Sequence, residues 1–535
     1  MYSCVKTLTL LGLIGKEIRA EADMSEGLPV FEMVGFLGGE VKEARERVRT
    51  ALKNSGVTLP PKRITVNLSP ADIKKSGTSY DLAVAVSLLK LLGKIPPESA
   101  DGMVVIGELG LSGEVLRVNG VLPMVIEAKG MGIKACMVPM DNVAEAKAVE
   151  GMNVIGVRSI EDARRYFEKG DTTGSDDKSK DNVSDEITVL NEAVCPDSED
   201  KGHRNDLNTD ADRKYDVDFS EVNGQEGAKR AMEIAAAGMH NILLIGPPGS
   251  GKTMLAKRLP TILPELDADE RMEVTKIYSV AGLLKDGQGL ISARPFVAPH
   301  HTISSAAMAG GGTIPRPGEC SLAHRGVLFL DELPEFSRTT LEILRQPMED
   351  KEVNIARAAA SYTYPADFLL CAAMNPCKCG YYPDMTKCRC TDADVQKYLG
   401  RISGPLLDRI DICVEASRME YKDIRGDSVN ESSAVIRERV SRAVIIQHER
   451  YAGTNIRFNS DIGVKDIDKY CHLGRKEEKL MREAFEKIGL SARAYHRMIR
   501  VARTIADIDG SEEIRTEHLS EAIGFRNIDR RYWNG

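Results

Sequence analysis

The residues with the clearest chemical capacity run from Asn241 to Thr253, Asn-Ile-Leu-Leu-Ile-Gly-Pro-Pro-Gly-Ser-Gly-Lys-Thr. Ile242 to Ile245 read as a buried strand and Met254 to Leu259 as a helix. Gly246-x-x-x-x-Gly251-Lys252-Thr253 therefore stands in the strand–loop–helix setting that a phosphate-binding P-loop requires. Gly246, Gly249 and Gly251 let the backbone turn its N–H groups inward, with Pro247, Pro248 and Ser250 completing the loop, and the helix N-terminus adds its dipole. Lys252 is placed to reach the β- and γ-phosphates of ATP, and the Thr253 hydroxyl to ligate Mg²⁺. A second apolar run, Val327 to Leu330, ends in Asp331-Glu332. Asp331 is expected to hold Mg²⁺ through water, and Glu332 to polarise the attacking water.

Two other clusters carry chemistry. Cys377-Lys378-Cys379 and Cys388-Arg389-Cys390 bring four thiols into one short segment. They are candidate zinc ligands, although C-x-C is tighter than the commoner C-x₂-C, and free reduced thiols or redox disulfides stay open. Lys378, Lys387 and Arg389 favour thiolates there. His300 and His301 lie between two Gly-rich stretches, Asp286 to Gly289 and Met308 to Gly312. These stretches are expected to be mobile loops, with Lys285, Arg294 and the two histidines tracking a phosphate backbone. Structural, packed histidines stand as the other reading.

These groups must be positioned by a large chain. At 535 residues it should hold about three domains. No apolar run approaches the ~18 residues of a membrane span, and the N-terminus lacks the pattern of a signal peptide. Eleven cysteines, an odd number, suit a reducing cytoplasm better than a disulfide framework. The net charge of −8 is concentrated: residues 171–212 carry 13 Asp/Glu against 4 Lys/Arg, which leaves about +1 for the rest. That segment cannot bury enough apolar area to order itself, so 169–214 reads as an acidic linker. Before it, residues 1–168 read as α/β, with strands Ile64 to Leu68 and Val104 to Gly107 and helices Val41 to Asn54 and Asp81 to Leu92. After it, 215–420 read as the P-loop core. Residues 421–535 read as an all-α lid with helices Glu431 to Tyr451, Lys476 to Ile488, Ala492 to Ile508 and Thr516 to Ile523. Arg437, Arg439 and Arg442 do not share one face, so a solvated surface is the default there. With few aromatics and no stacking platform, any DNA binding should run through the backbone, independent of sequence.

Lys74-Lys75-Ser76-Gly77-Thr78-Ser79-Tyr80-Asp81, with Gly107-Glu108-Leu109-Gly110-Leu111-Ser112-Gly113 and Val118-Asn119-Gly120-Val121-Leu122-Pro123, resembles the proteolytic domain of Lon-type proteases. Ser79 falls near that family's nucleophile, but Leu122 falls where its dyad lysine should be and cannot activate a serine. Lys129 is the remaining candidate base. The resemblance therefore implies a Lon-like fold without peptidase activity. Phe219 to Ala231, around Gly224-Gln225, resembles the lead-in of AAA+ ATPases. By that resemblance Asn375 takes the sensor-1 role, Arg409 that of an arginine finger with Arg401 as alternative, and Arg493 that of sensor 2 in the lid. Arg294 to Thr302, Gly318 to Phe336 and Ala373 to Gly380 resemble magnesium-chelatase-like AAA+ proteins. A Lon-like front joined to such an ATPase resembles the YifB/ComM family. That resemblance implies a homo-hexameric ring, its pore lined by the two Gly-rich loops, hydrolysing ATP with Mg²⁺ and acting on branched DNA as a branch-migration helicase in natural transformation. A protein partner taken through the N-terminal domain is a further expectation. A chaperone-like or chelatase-like ATPase remodelling a protein is the alternative.

Overall fold

The computed structural model describes residues 1–169, 215–312, 315–357, 361–417, 430–488 and 491–533. The expected linker, past its first residue, and the boundary expected near 420 lie outside the described residues. Two compact units result: Met1–Asn208 with Arg271–Ile291, and Thr209–Glu270 with Ser292–Gly535.

The first unit is built on a seven-stranded mixed sheet. Its strands are β1 (Tyr2–Leu11), β2 (Ile14–Ser25), β3 (Val30–Val34), β4 (Arg63–Ser69), β5 (Met103–Val105), β6 (Ala135–Pro139) and β7 (Asn153–Val157), in the order β3-β4-β2-β1-β5-β6-β7. β1 and β2 pair antiparallel along their length, each alternating inward and outward side chains over much of it. β5, β6 and β7 are parallel and read as short continuous apolar runs. The helix Asp81–Leu91 buries every residue but Lys90, which is why its sequence is apolar all round. Residues 271–291, sequentially inside the ATPase stretch, belong to this unit. Gly120 N donates to Ser279 O at 3.0 Å, and Ser279 Oγ donates to the buried Glu145 at 2.6 Å. Arg117 bonds Leu284 O at 2.5 Å and pairs with Asp286. The loop expected to line a pore is thus held by side chains of the N-terminal unit, because its carboxylate finds a cation there.

The second unit carries a five-stranded, all-parallel sheet. Its strands are β8 (Ile242–Ile245), β9 (Phe296–Val297), β10 (Val327–Leu330), β11 (Leu369–Met374) and β12 (Ile412–Glu415), in the order β9-β10-β11-β8-β12. β8, β10 and β11 are buried throughout, as strands covered on both faces must be. Helices Glu226–Gly238, Lys252–Ile262, Ser433–Arg450 and Ala492–Ile508 share one hydrophobic core with this sheet. The last helix, Thr516–Trp533, runs well beyond the end expected at Ile523.

Candidate nucleotide site

In a parallel sheet every strand points the same way, so one end collects all the carboxyl termini. β8 delivers the P-loop, β10 delivers Asp331 and Glu332, and β11 delivers Asn375. The loop is tight by necessity. A Cβ on Gly246 would stand 2.3 Å from the Ala416 carbonyl oxygen, and Gly249 and Gly251 hold φ of 75° and 84°. The Lys252 ammonium bonds Gly246 O at 2.8 Å, Pro247 O at 2.9 Å and Asn375 Oδ1 at 3.2 Å. Burial lowers its pKa, against the pull of Asp331 and Glu332. Thr253 Oγ1 donates to Asp331 Oδ2 at 2.7 Å, which brings two hard oxygen donors together as Mg²⁺ prefers. Glu332 has a left-handed backbone, φ 52°, a costly conformation for a glutamate and one concentrated at functional sites. The sequence alone did not place His301 here: its Nδ1 lies 3.6 Å from Glu332 Oε2, and its ring packs tilted against His300, centroids 4.1 Å apart. The Pro299-His300-His301 segment follows β9, a link that only strand order reveals.

The arginines lie elsewhere. Arg409 sits ahead of β12, at the amino end of the sheet. It is buried, at 3% exposure, bonding Pro405 O at 2.6 Å and pairing with Glu349. Arg493, 61% exposed, approaches the same Glu349 carboxylate at 3.6 Å. Arg401 instead bonds Pro334 O and Glu335, close after Glu332 in sequence. A cavity of about 510 Å³ opens at the amino end, lined by Asn241, Arg325, Asp367 and Asp411 ahead of four strands and by Arg497 and Arg500 from the lid. Asp411 is buried, which opposes its charge, but Arg497, His240 and the Asn241 N–H outweigh that and hold its carboxyl well below the usual range. On the Ser433–Arg450 helix, Arg439 is engaged with Glu233 and Glu431, and Arg437 reaches Thr261 O. Those two side chains are therefore tied to the protein rather than merely solvated.

The cysteine loop follows β11 directly. The four Sγ atoms lie within 4.8 Å of one another, with Cys377–Cys379 at 3.3 Å, Cys379–Cys388 at 3.5 Å and Cys377–Cys388 at 3.8 Å. Zinc–sulfur bonds of about 2.3 Å in a tetrahedron require sulfurs about 3.8 Å apart, so the donor set fits that ion. Burial opposes the Cys379 thiolate, but the backbone groups of Arg389 and Tyr381 outweigh it and lower the pKa to about 6, whereas burial pushes Cys388 up to about 12.

In the N-terminal unit, Leu122 is fully buried in an apolar cluster, and its N–H meets Glu145. Lys129 is exposed at the far end of that helix, Val121–Gly130. Ser79 is half-buried beside Tyr80, whose hydroxyl bonds Thr9 at 2.6 Å.

A parallel P-loop sheet of this order, with a helical lid in the same core, defines an AAA+ protein of the magnesium-chelatase type. The family models agree: "Magnesium chelatase, subunit ChlI" matches residues 218–424, its C-terminal model 430–526, and "Subunit ChlI of Mg-chelatase" 20–142. The chain is 39% identical to competence protein ComM of Haemophilus influenzae, over 97% of this chain and 96% of that one. It is 40% identical to the uncharacterized protein YifB of Escherichia coli, over 99% and 97%. The chain belongs to the YifB/ComM family. Its Lon-like similarity extends to Lon protease 2 of Bacillus subtilis, 30% identical over 122 residues, 23% of this chain and 22% of that one.

Proposed function

We propose that this protein is an ATP-hydrolysing ring motor that acts on DNA, a branch-migration helicase supporting homologous recombination of incoming DNA in natural transformation. The observation that carries the reading is full-length similarity to a competence protein, joined to a P-loop site with its acidic pair in place. Lys252 contacts the β- and γ-phosphates, Glu332 polarises the attacking water, and Asn375 orients it. Thr253 and Asp331 hold Mg²⁺, which neutralises phosphate charge. Arg409 and Arg493 meet at Glu349, at the amino end of the sheet, whereas the P-loop stands at the carboxyl end. That separation supports both arginines acting on a neighbouring subunit's nucleotide, hence a homo-hexamer with shared sites. Arg493 is thus better read across the interface than as a sensor of its own subunit's nucleotide. The four thiols hold zinc as a structural ion. No helix among the described residues is long and apolar enough to cross a membrane, in keeping with a cytoplasmic motor. Leu122 in place of a dyad lysine argues for a non-proteolytic N-terminal domain that recruits a protein partner.

The test is ATPase rate with and without forked or four-way DNA, beside Lys252→Ala and Glu332→Gln. Stimulation by branched DNA, lost in both variants, is expected. Robust turnover indifferent to any DNA would overturn the DNA reading and leave the chaperone-like or chelatase-like one.

A further inference from the structure

The cysteine loop is built against the nucleotide site. Cys377 stands two residues beyond Asn375, whose amide oxygen lies 3.2 Å from the Lys252 ammonium. Between the two cysteine pairs the loop touches the P-loop itself. Gly380 holds φ +86°, and a Cβ there would lie 2.4 Å from Pro248 Cδ and 2.7 Å from Pro248 Cγ. Only glycine lets the loop backbone approach the P-loop this closely. On its other side the loop passes from Cys390 into Thr391, which caps the helix Asp392–Leu399 in a capping box with Asp394. One short loop thus joins the residue beside Lys252, the wall of the P-loop, and the helix that leads to Arg401.

Little in the loop holds this arrangement by packing. Tyr381, Met385 and Lys387 are exposed, and the buried side chains from 377 to 390 are Cys377 and Cys388. The Tyr382 N–H donates to Cys377 Sγ at 3.4 Å, the backbone-to-sulfur bond that suits a metal-bound thiolate. Four thiolates and Zn²⁺ sum to a charge of −2, and Lys378, Lys387 and Arg389, less Asp384 that pairs with Lys387 at 3.1 Å, leave a balancing +2 within the loop. The free energy of closing such a loop then comes from the ion.

We propose that zinc in this loop is a clamp on the P-loop: by tying Cys377 and Cys379 to Cys388 and Cys390, it presses Gly380 onto Pro248 and fixes Asn375 against Lys252. Nucleotide binding and turnover therefore depend on an ion bound outside the ATP site. This rests on the reading of the thiols as a zinc site and of the P-loop as the ATP site, and its test separates the two.

The test uses the full chain purified under reducing conditions. Elemental analysis should find about one zinc per chain, and Co²⁺ in its place should give the charge-transfer absorption of thiolate ligation. Cys390→Ser should lose the ion. Gly380→Ala, strained by the φ of +86° and the contact with Pro248, should lower the melting temperature but still fold and retain zinc, and should bind a fluorescent ATP analogue and hydrolyse ATP about 10–100-fold less well. Stripping zinc with a chelator should produce the same loss, reversed by adding zinc back. Zinc well below stoichiometric, with no cobalt–thiolate absorption, overturns the metal site. Full zinc with Gly380→Ala and stripped protein both binding the analogue as wild type overturns the clamp. Analogue binding that responds to zinc in a protein without measurable hydrolysis upholds the clamp while overturning the ATPase reading.

Discussion

Glu332 is held where a small change should have a large kinetic effect. Its backbone is left-handed, its N–H donates to Asp331 Oδ1 at 2.9 Å, and its carboxylate faces His301. Glu332→Gln keeps the shape and removes the carboxylate proposed to polarise the attacking water. We expect turnover to fall by roughly 10²–10⁴-fold while ATP binding persists, measured by phosphate release and by binding of a fluorescent analogue. Asp81 in the other unit shows a different use of a carboxylate. It is fully buried, and burial raises its pKa to about 6 although Arg47 pairs with it at 2.8 Å. A folded-state pKa above the ordinary value of 3.8 means that the native state holds the proton more tightly. That stability is complete at acid pH and lost as pH rises through about 6. Relative to Asp81→Asn, the wild type should therefore lose up to ~3 kcal/mol between about pH 4 and pH 7, read by denaturant unfolding of both proteins.

At the scale of elements, the P-loop tolerates no added atom at its first glycine. Gly246→Ala puts a methyl group 2.3 Å from the Ala416 carbonyl, which is backbone and cannot swing aside. Overpacking of that kind costs ~1–3 kcal/mol, and here it also displaces the phosphate-binding loop. Lowered melting temperature together with lost nucleotide binding is the expected result. This part of the molecule was the most legible in the sequence. β8 and β10 begin and end where the apolar runs do, because strands buried on both faces need every side chain apolar. The hairpin of β1 and β2 is not legible locally: buried Ser3, Thr7 and Thr9 stand where an apolar pattern would be sought, and pairing with distant β4 and β5 completes it. The last helix outran its expected end because Tyr532 and Trp533, bonded to Glu415 and Leu399 O, are partners that no local pattern names. The surroundings of His301 are not legible for the same reason: its neighbour Glu332 is 31 positions away, across a strand pairing.

At the scale of the whole molecule, the opposite placement of P-loop and arginines makes a prediction no single chain can test. Arg409→Ala or Arg493→Ala leaves its own P-loop intact, and Lys252→Ala leaves its own arginines intact. Each should be inactive alone. Mixed one to one, a ring pairs an intact P-loop with an intact arginine face at about a quarter of its interfaces, a half times a half, so ATPase activity should return on mixing. If the mixture stays as inactive as its parts, the arginines do not act across subunits. The embedding of residues 271–291 in the N-terminal unit has a consequence of another kind. Arg117, Gly120 and Glu145 each take a partner in a stretch encoded after the P-loop. During synthesis the first unit must therefore wait, with its sheet made but its final segment missing, until the ribosome has passed Ile291. The front of the protein is translated first and finished second, so a gene fragment that stops at the linker encodes a unit missing part of its own structure.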